Sequence, residues 1–105
     1  MKRALQAILI AGEEMKADVL DGKKKITIRE GRRDYSDGPV LIGCHKLNWA
    51  TMREISNVKY ASLKDVPEED YRDDGFDSKA DMLMALSKFY PDINWDSPVT
   101  IIRWE

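Results

Sequence analysis

The residue types best suited to chemistry lie in one short stretch, residues 22–30 (Gly-Lys-Lys-Lys-Ile-Thr-Ile-Arg-Glu). If its second half forms a strand, Thr27 and Arg29 share one face and the two isoleucines share the other. A threonine hydroxyl becomes a nucleophile only when a base within hydrogen-bond reach accepts its proton. Lys24 can be that base if it lies in the turn before the strand, because positions three apart on a regular strand face opposite ways.

The charge of this stretch favours the same chemistry. Residues 23–33 hold six cations and one anion, whereas the whole chain has a formal net charge of −2. An amine accepts a proton only in its neutral form, and neighbouring cations favour that form. We expect Lys23, Lys25 and Arg29 to supply those cations around Lys24. The alternative is a solvated hairpin edge, where lysines prevent strand pairing between molecules.

Length and composition indicate one globular domain spanning residues 1–105. The chain is 43% hydrophobic and 34% charged, with apolar residues along its whole length, which excludes a disordered class. Its single cysteine excludes an internal disulfide and favours a cytoplasmic location. The apolar run at residues 4–11 is too short to span a membrane and is predicted to be a strand rather than a signal peptide. The slight net acidity disfavours extended nucleic-acid binding.

Apolar periodicity predicts five or six strands and two or three helices. The predicted strands are Leu5–Ile10, Lys25–Glu30, Val40–His45, Trp49–Ala61 (one strand, or two joined by a kink at Ser56-Asn57) and Val99–Trp104. The predicted helices are Glu13–Leu20, Leu63–Arg72 around a start at Pro67, and Ser78–Tyr90 with an apolar stripe of Met82, Leu83, Leu86 and Phe89. Such a set predicts an α+β domain built as a small closed or nearly closed barrel.

Three landmarks follow one another in a familiar order: Gly22-x-Lys24-x-x-Thr27-x-Arg29 after a short helix, Asp74-Gly75-Phe76 before a longer helix, and a terminal strand. Together they resemble ASCH domains over nearly the full chain, which implies a PUA-like β-barrel. Many ASCH domains carry glutamate where Thr27 stands. The version with threonine resembles the small bacterial amidohydrolases that hydrolyse N(4)-acetylcytidine to cytidine and acetate.

The resemblance to these amidohydrolases implies roles for individual residues. Lys24 would be the base and Thr27 the nucleophile. The family's proton donor is a glutamate near the Gly-Phe landmark, and the best match here is Asp74, which is one methylene shorter. Asp73 and Glu69 are the alternatives for the donor, and Arg29 is expected to hold the substrate.

Other residues with chemical potential lie outside this motif. Tyr35, in the loop after two arginines, is our first candidate for stacking on a pyrimidine ring, with Trp49 as the second. Cys44 and His45 would point to opposite faces of a strand and so form no simple dyad, and we expect Cys44 to be buried. One histidine and one cysteine do not make a zinc site, so we predict no metal and no cofactor.

Three functions from different classes remain open. The first is hydrolysis of N(4)-acetylcytidine and related N(4)-acylcytosine nucleosides to cytidine and a carboxylic acid, with a small-molecule nucleoside as partner. The alternatives are a non-catalytic RNA-binding module and a ribonuclease, so RNA stays a possible partner. We expect a monomer. The range of acyl groups, and whether the substrate is a free nucleoside or a base within RNA, are left open.

Overall fold

The protein, described here by a computed structural model over residues 6–10, 14–44 and 49–105, is an α+β domain. Five strands form one sheet: β1 (Gln6–Ile10), β2 (Ile26–Glu30), β3 (Gly38–Cys44), β4 (Ala50–Ser62) and β5 (Pro98–Trp104). Three α-helices accompany them within the described residues: α1 (Glu14–Leu20), α2 (Glu68–Asp73) and α3 (Lys79–Ser87), with a 3₁₀ turn at Leu63–Asp65. The predicted fold class is therefore confirmed, with the strand count at five.

The sheet is open along one seam. Its strand order is β1-β3-β4-β5-β2, with β1 and β3 parallel and the other neighbours antiparallel, so β1 and β2 are the two edges. The sheet curls far enough to bring these two edges close together. Arg29 Nη2 on β2 donates to the carbonyl oxygen of Leu9 on β1 at 2.8 Å and so joins them. The barrel is therefore nearly closed, and the β1–β2 seam leaves backbone groups of both edge strands available to side chains and ligands.

Each face of the sheet buries its own core. Side chains of β1, β3, β4 and β5 form the first core with Val19 of α1; its largest members include Ile8, Ile42, Ile102 and Trp104. The second core joins β2 and β5 to α3 and is built on Ile26, Ile28, Val99, Ile101, Met82 and Leu86. Directly opposed residues of an antiparallel pair share a face, so Thr27, paired with Ile102, points toward the first core. The predicted alternation along β2 is thereby confirmed.

The long fourth strand carries the predicted irregularity. Its pairing with β5 shifts register between Ile55 and Asn57, so Ser56 lies in a bulge rather than at a break between two strands. The segment after it departs from the single predicted helix 63–72. A 3₁₀ turn comes first and ends at Asp65, the backbone of Val66 and Pro67 is extended, and α2 begins only after Pro67 (φ −61°, ψ 149°).

Helix α3 begins where the sequence predicts but ends earlier than the sequence predicts. Ser78 Oγ accepts a hydrogen bond from the Asp81 N–H at 3.1 Å, which satisfies one of the unpaired donors of the first turn. Met82 and Leu86 are buried, but Phe89 is 64% exposed, which corrects its place in the buried stripe. The physical reason is that the helix ends at Ser87, so Phe89 no longer follows its apolar face.

Three predicted element residues, Leu5, Glu13 and His45, lie outside the described residues. None of the helices in the described ranges combines the length and the apolar character that crossing a membrane requires.

Candidate active site

The turn after α1 positions Lys24. Gly22 adopts a left-handed backbone with φ +85°, which glycine reaches without strain. The Lys24 N–H then donates to the carbonyl oxygen of Asp18 at 2.8 Å, which ties the turn back to the helix. Lys24 thus precedes β2, as its convergence with Thr27 requires, and its Nζ donates to the Ile26 carbonyl oxygen at 2.8 Å.

A second helix end positions Asp74. The N–H of Gly75 donates to the carbonyl oxygen of Arg72 at 2.9 Å, and the N–H of Phe76 donates to that of Tyr71 at 2.9 Å. These two bonds, with Gly75 at φ +97°, form a Schellman motif that ends α2 at Asp74. The Asp-Gly-Phe landmark is therefore a helix terminator, and it holds the Asp74 carboxylate at the free edge of β2.

Replacing Gly75 with alanine tests this role of the left-handed turn. A Cβ at position 75 would meet nothing within 4 Å, so the cost is confined to the backbone conformation. We expect the free energy of unfolding to fall by about 1 kcal/mol, since an L-residue in this region loses about that much. Urea denaturation measures it. Gly75→Asn is the matched control, because asparagine tolerates this conformation; a loss as large as that of alanine would contradict the explanation.

Lys24 and Asp74 form a buried pair. Lys24 Nζ lies 2.5 Å from Asp74 Oδ1, and the two side chains are only 11% and 7% exposed. Burial raises the pKa of Asp74 above its ordinary value of 3.8, and this outweighs the lowering effects of Lys24, Arg29 and a hydrogen bond from the Ile28 N–H. The pair therefore places an amine within hydrogen-bond distance of a carboxyl group whose pKa is raised by burial.

Thr27 and Arg29 lie together on the adjoining part of β2. Thr27 is only 6% exposed, and its Oγ1 accepts a hydrogen bond from Arg29 Nε at 3.2 Å. A hydroxyl oxygen that accepts from a guanidinium keeps its own proton available for a base and gains support for negative charge. The predicted shared face of these two residues is confirmed by this contact.

All four of these residues line one cleft at the β1–β2 seam, with a volume of about 190 Å³. Its polar groups are Lys24, Thr27, Arg29 and Asp74. The remaining lining is apolar or aromatic and comes from β1, α1, β2, the α2–α3 loop and the end of α3: Leu9, Ile10, Met15, Ile28, Phe76, Leu86, Phe89 and Tyr90. The Arg33 guanidinium lies 5.9 Å from the Tyr90 ring centroid, which adds a cation beside this end of the cleft.

The surroundings of Lys24 differ from the expected crowd of cations. Lys23 and Lys25 are exposed, and Lys23 Nζ lies 3.9 Å from an Asp21 carboxylate oxygen. The partner of Lys24 is instead a carboxylate fifty positions away in sequence. The sequence of residues 22–30 could not reveal this contact, because the contact depends on how α2 docks against β2.

The structure separates the three candidate proton donors. Asp74 lies in the cleft beside Lys24, whereas Asp73 Oδ2 accepts from Arg103 Nη2 at 2.8 Å and Glu69 lies exposed on α2. Neither alternative is among the described residues that line the cleft.

Both stacking candidates lie elsewhere. The Tyr35 hydroxyl donates to the Ala7 carbonyl oxygen at 2.9 Å, and its ring packs against the first core. Trp49 and Cys44 are buried in that same core. Neither aromatic residue is among the described residues that line the cleft, and the Tyr35 hydroxyl is held instead by the backbone of β1.

The cleft-lining aromatics were missed by sequence reasoning. Phe76 belongs to the Asp-Gly-Phe landmark, and Phe89 and Tyr90 follow the last turn of α3. One signal was available: two adjacent aromatics directly before Pro91 stand where a helix has to end. The sequence does not say that this helix end lies at the β1–β2 seam.

Comparison with known proteins supports the fold. No protein-family model matches the chain, and no curated protein sequence matches it either. A crystal structure of an ASCH domain from Lactobacillus crispatus JV V101 is similar to it, with a TM-score of 0.71 and 17% sequence identity. The match covers 97% of this chain and 79% of that one. The curled five-stranded sheet with its helices is therefore the fold of an ASCH domain.

Proposed function

We propose that this protein with an ASCH fold is an amide hydrolase acting on N(4)-acetylcytidine and related N(4)-acylcytosine nucleosides. The observation that supports it best is the convergence of Thr27, Arg29, Lys24 and Asp74 on one cleft. Amide hydrolysis requires a nucleophile, a base, a group that supports the oxyanion and an acid for the leaving amine. The four side chains correspond to these four requirements.

The Lys24–Asp74 pair supplies both the base and the acid. When their shared proton lies on the carboxyl group, Lys24 is a neutral amine and Asp74 is a carboxylic acid. The neutral amine accepts the proton of the Thr27 hydroxyl as Oγ1 attacks the acyl carbon. Burial of Asp74 favours this arrangement, because a carboxyl group with a raised pKa keeps a proton more readily.

Arg29 supports the developing charge. Its Nε donates to Thr27 Oγ1 and its Nη2 to the Leu9 carbonyl oxygen, which fixes the guanidinium across the seam. A guanidinium has five N–H donors, so others remain for the oxygen of the tetrahedral intermediate. When the C–N bond breaks, Asp74 protonates the departing amino group of cytosine. The proton that Lys24 took from Thr27 passes to the Asp74 carboxylate, so Lys24 is again neutral. Water then attacks the acyl ester of Thr27 and gives a proton to Lys24. Lys24 returns that proton to Thr27 Oγ1 as the ester C–O bond breaks and the carboxylic acid leaves.

The pH dependence of kcat/KM tests the role of Asp74. At low pH the pair gains a second proton and Lys24 can no longer act as base, so activity falls as pH drops through the pKa of Asp74. Because burial raises that pKa, the acid limb is expected above pH 3.8. In Asp74→Asn the residual activity is expected to lose the limb that Asp74 sets, whereas Asp73→Asn keeps it at the wild-type pH. An acid limb at an unchanged pH in Asp74→Asn would assign the proton to another group.

The function itself is tested by incubating the purified protein with N(4)-acetylcytidine and separating the products by chromatography. Cytidine and acetate are expected in equal amounts. If no cytidine forms at high protein concentration and the protein retards RNA in a gel, the RNA-binding alternative replaces the hydrolase. Cleavage of that RNA would instead favour the ribonuclease. A monomer in the cytoplasm remains our expectation for the native state.

A further inference from the structure

The mouth of the cleft is apolar on two sides. Phe89, just after α3, is 64% exposed, and Leu9 on β1 is 51% exposed, and both line the cleft. The polar groups Lys24, Thr27 and Asp74 are all nearly buried in the same cleft. A ligand therefore meets apolar surface first and charged groups last.

The position of Phe89 distinguishes it from other exposed apolar residues. Met84 is equally exposed, at 65%, but it lies on α3 outside the cleft lining. Scattered apolar side chains on a surface are normal and require no explanation. Phe89 instead borders buried polar groups that would act on a bound molecule, and its backbone is held in the turn by a hydrogen bond from its N–H to the Leu86 carbonyl oxygen at 3.0 Å.

We infer that Phe89 and Leu9 form a platform that holds the planar ring of the nucleobase at the mouth of the cleft. This inference rests on the proposed function and adds the residues that select a ring-bearing substrate. With the ring on Phe89, the acyl group of an N(4)-acylcytosine enters toward Thr27 and the ribose stays outside. An aromatic face stacks on any base, so the platform contributes affinity for planar rings while the deeper groups select the acyl amide.

The occupant is a nucleobase rather than a second copy of this chain. A protein–protein interface needs a broad patch of roughly 800 Å² per partner. Phe89 and Leu9 flank a narrow cleft whose floor is charged, and charged groups are depleted at the centre of protein interfaces. A planar ring can pack against the apolar mouth while its acyl amide reaches the polar groups at the bottom of the cleft.

The test measures binding without turnover. Thr27→Val removes the proposed nucleophile, and N(4)-acetylcytidine is titrated into it with NMR detection of the ligand. Ring stacking is expected to move the base H5 and H6 signals upfield. Adding Phe89→Ala is expected to abolish that shift and to raise Kd by roughly 10-fold or more. Phe89→Tyr is expected to preserve both, and Met84→Ala, at an equally exposed apolar residue on α3, is the matched control.

The outcomes separate this inference from the proposed function. If the wild type releases cytidine and Phe89→Ala leaves KM and the ring shifts unchanged, the platform is overturned and the hydrolase stands. If the wild type releases none but the Phe89-dependent shifts are present, the hydrolase fails and the platform stands. Absence of both binding and turnover overturns both. A change in sedimentation of Phe89→Ala without a change in Kd would assign the residue to self-association and overturn the platform.

Discussion

Replacing Lys24 with methionine is expected to lower kcat for N(4)-acetylcytidine by about 10³-fold, within the range that general acid–base groups contribute. Methionine keeps much of the lysine stem but can neither accept a proton from Thr27 nor exchange one with Asp74. Asp74 would then lie buried without its 2.5 Å partner. Loss of Lys24 also removes a cation that lowers the pKa of Asp74, so the buried carboxyl group takes up a proton more readily and the fold is expected to persist.

The matched control for this variant is Lys23→Met. Lys23 is the neighbouring lysine of the same motif stretch, and its side chain is 77% exposed. Its replacement is expected to leave kcat within about two-fold of the wild-type value, because the charge of an exposed lysine is screened by water and salt. Circular dichroism and thermal unfolding establish that both variants are folded. A Lys24→Met enzyme within tenfold of the wild type would remove Lys24 from the mechanism.

Replacing Asp70 with asparagine is expected to lower the free energy of unfolding by about 3 kcal/mol, the scale of breaking a buried ion pair from one side. Asp70 is fully buried at the first turns of α2. Its carboxylate accepts hydrogen bonds from Lys59 Nζ at 2.6 Å and from Arg103 Nη2 at 2.7 Å. Asparagine fits the space but removes the buried negative charge that Lys59 and Arg103 both contact, and Arg103 keeps its more exposed ion pair with Asp73. Urea denaturation measures the loss.

The pH dependence of stability tests the same buried carboxylate. Burial acts to raise the pKa of Asp70, but the hydrogen bonds and charges of Lys59 and Arg103 outweigh it and hold the pKa below 3.8. A lowered folded-state pKa stabilises the protein above the unfolded-state pKa, and this contribution is lost as pH falls through the folded-state value. The wild type should therefore lose stability in acid more steeply than Asp70→Asn.

Glu68→Gln is the control for the Asp70 prediction. Glu68 pairs with Arg72 at 2.8 Å on the exposed side of the same helix, where an ion pair contributes little. Its replacement is expected to change stability far less than Asp70→Asn. If the two variants lose equal stability, the buried network does not anchor α2 to β4 and β5.

Most helices and strands could be predicted from the sequence because local residue patterns determine them. Alternation located β2, a short apolar-rich segment located β5, the cap at Ser78 located the start of α3, and Ser56-Asn57 marked the irregularity of β4. The end of α3 was missed because its apolar spacing continues to Phe89 after the backbone leaves the helix at Ser87. Periodicity reports which side chains could share a face, not where hydrogen bonding stops.

The site was predictable only in part. Lys24, Thr27, Arg29 and Asp74 were all named from sequence, and the structure brings them to one cleft. The partnership of Lys24 with Asp74 was not foreseen, because it depends on the docking of α2 against the free edge of β2. Tyr35 was placed by loop proximity alone, and in the structure its hydroxyl donates to the Ala7 carbonyl oxygen of β1. Contacts of this kind follow from tertiary packing and leave no local pattern.

The most direct measurement compares initial rates of cytidine release from N(4)-acetylcytidine by the wild type and by Thr27→Val. Valine nearly matches the shape of this buried threonine, so the hydroxyl is what the substitution removes. We expect multiple turnovers by the wild type and a loss of at least about 10³-fold in the variant, as for removal of an activated nucleophile. Equal rates for the two proteins, or a wild-type rate no faster than buffer alone, would contradict the proposed mechanism.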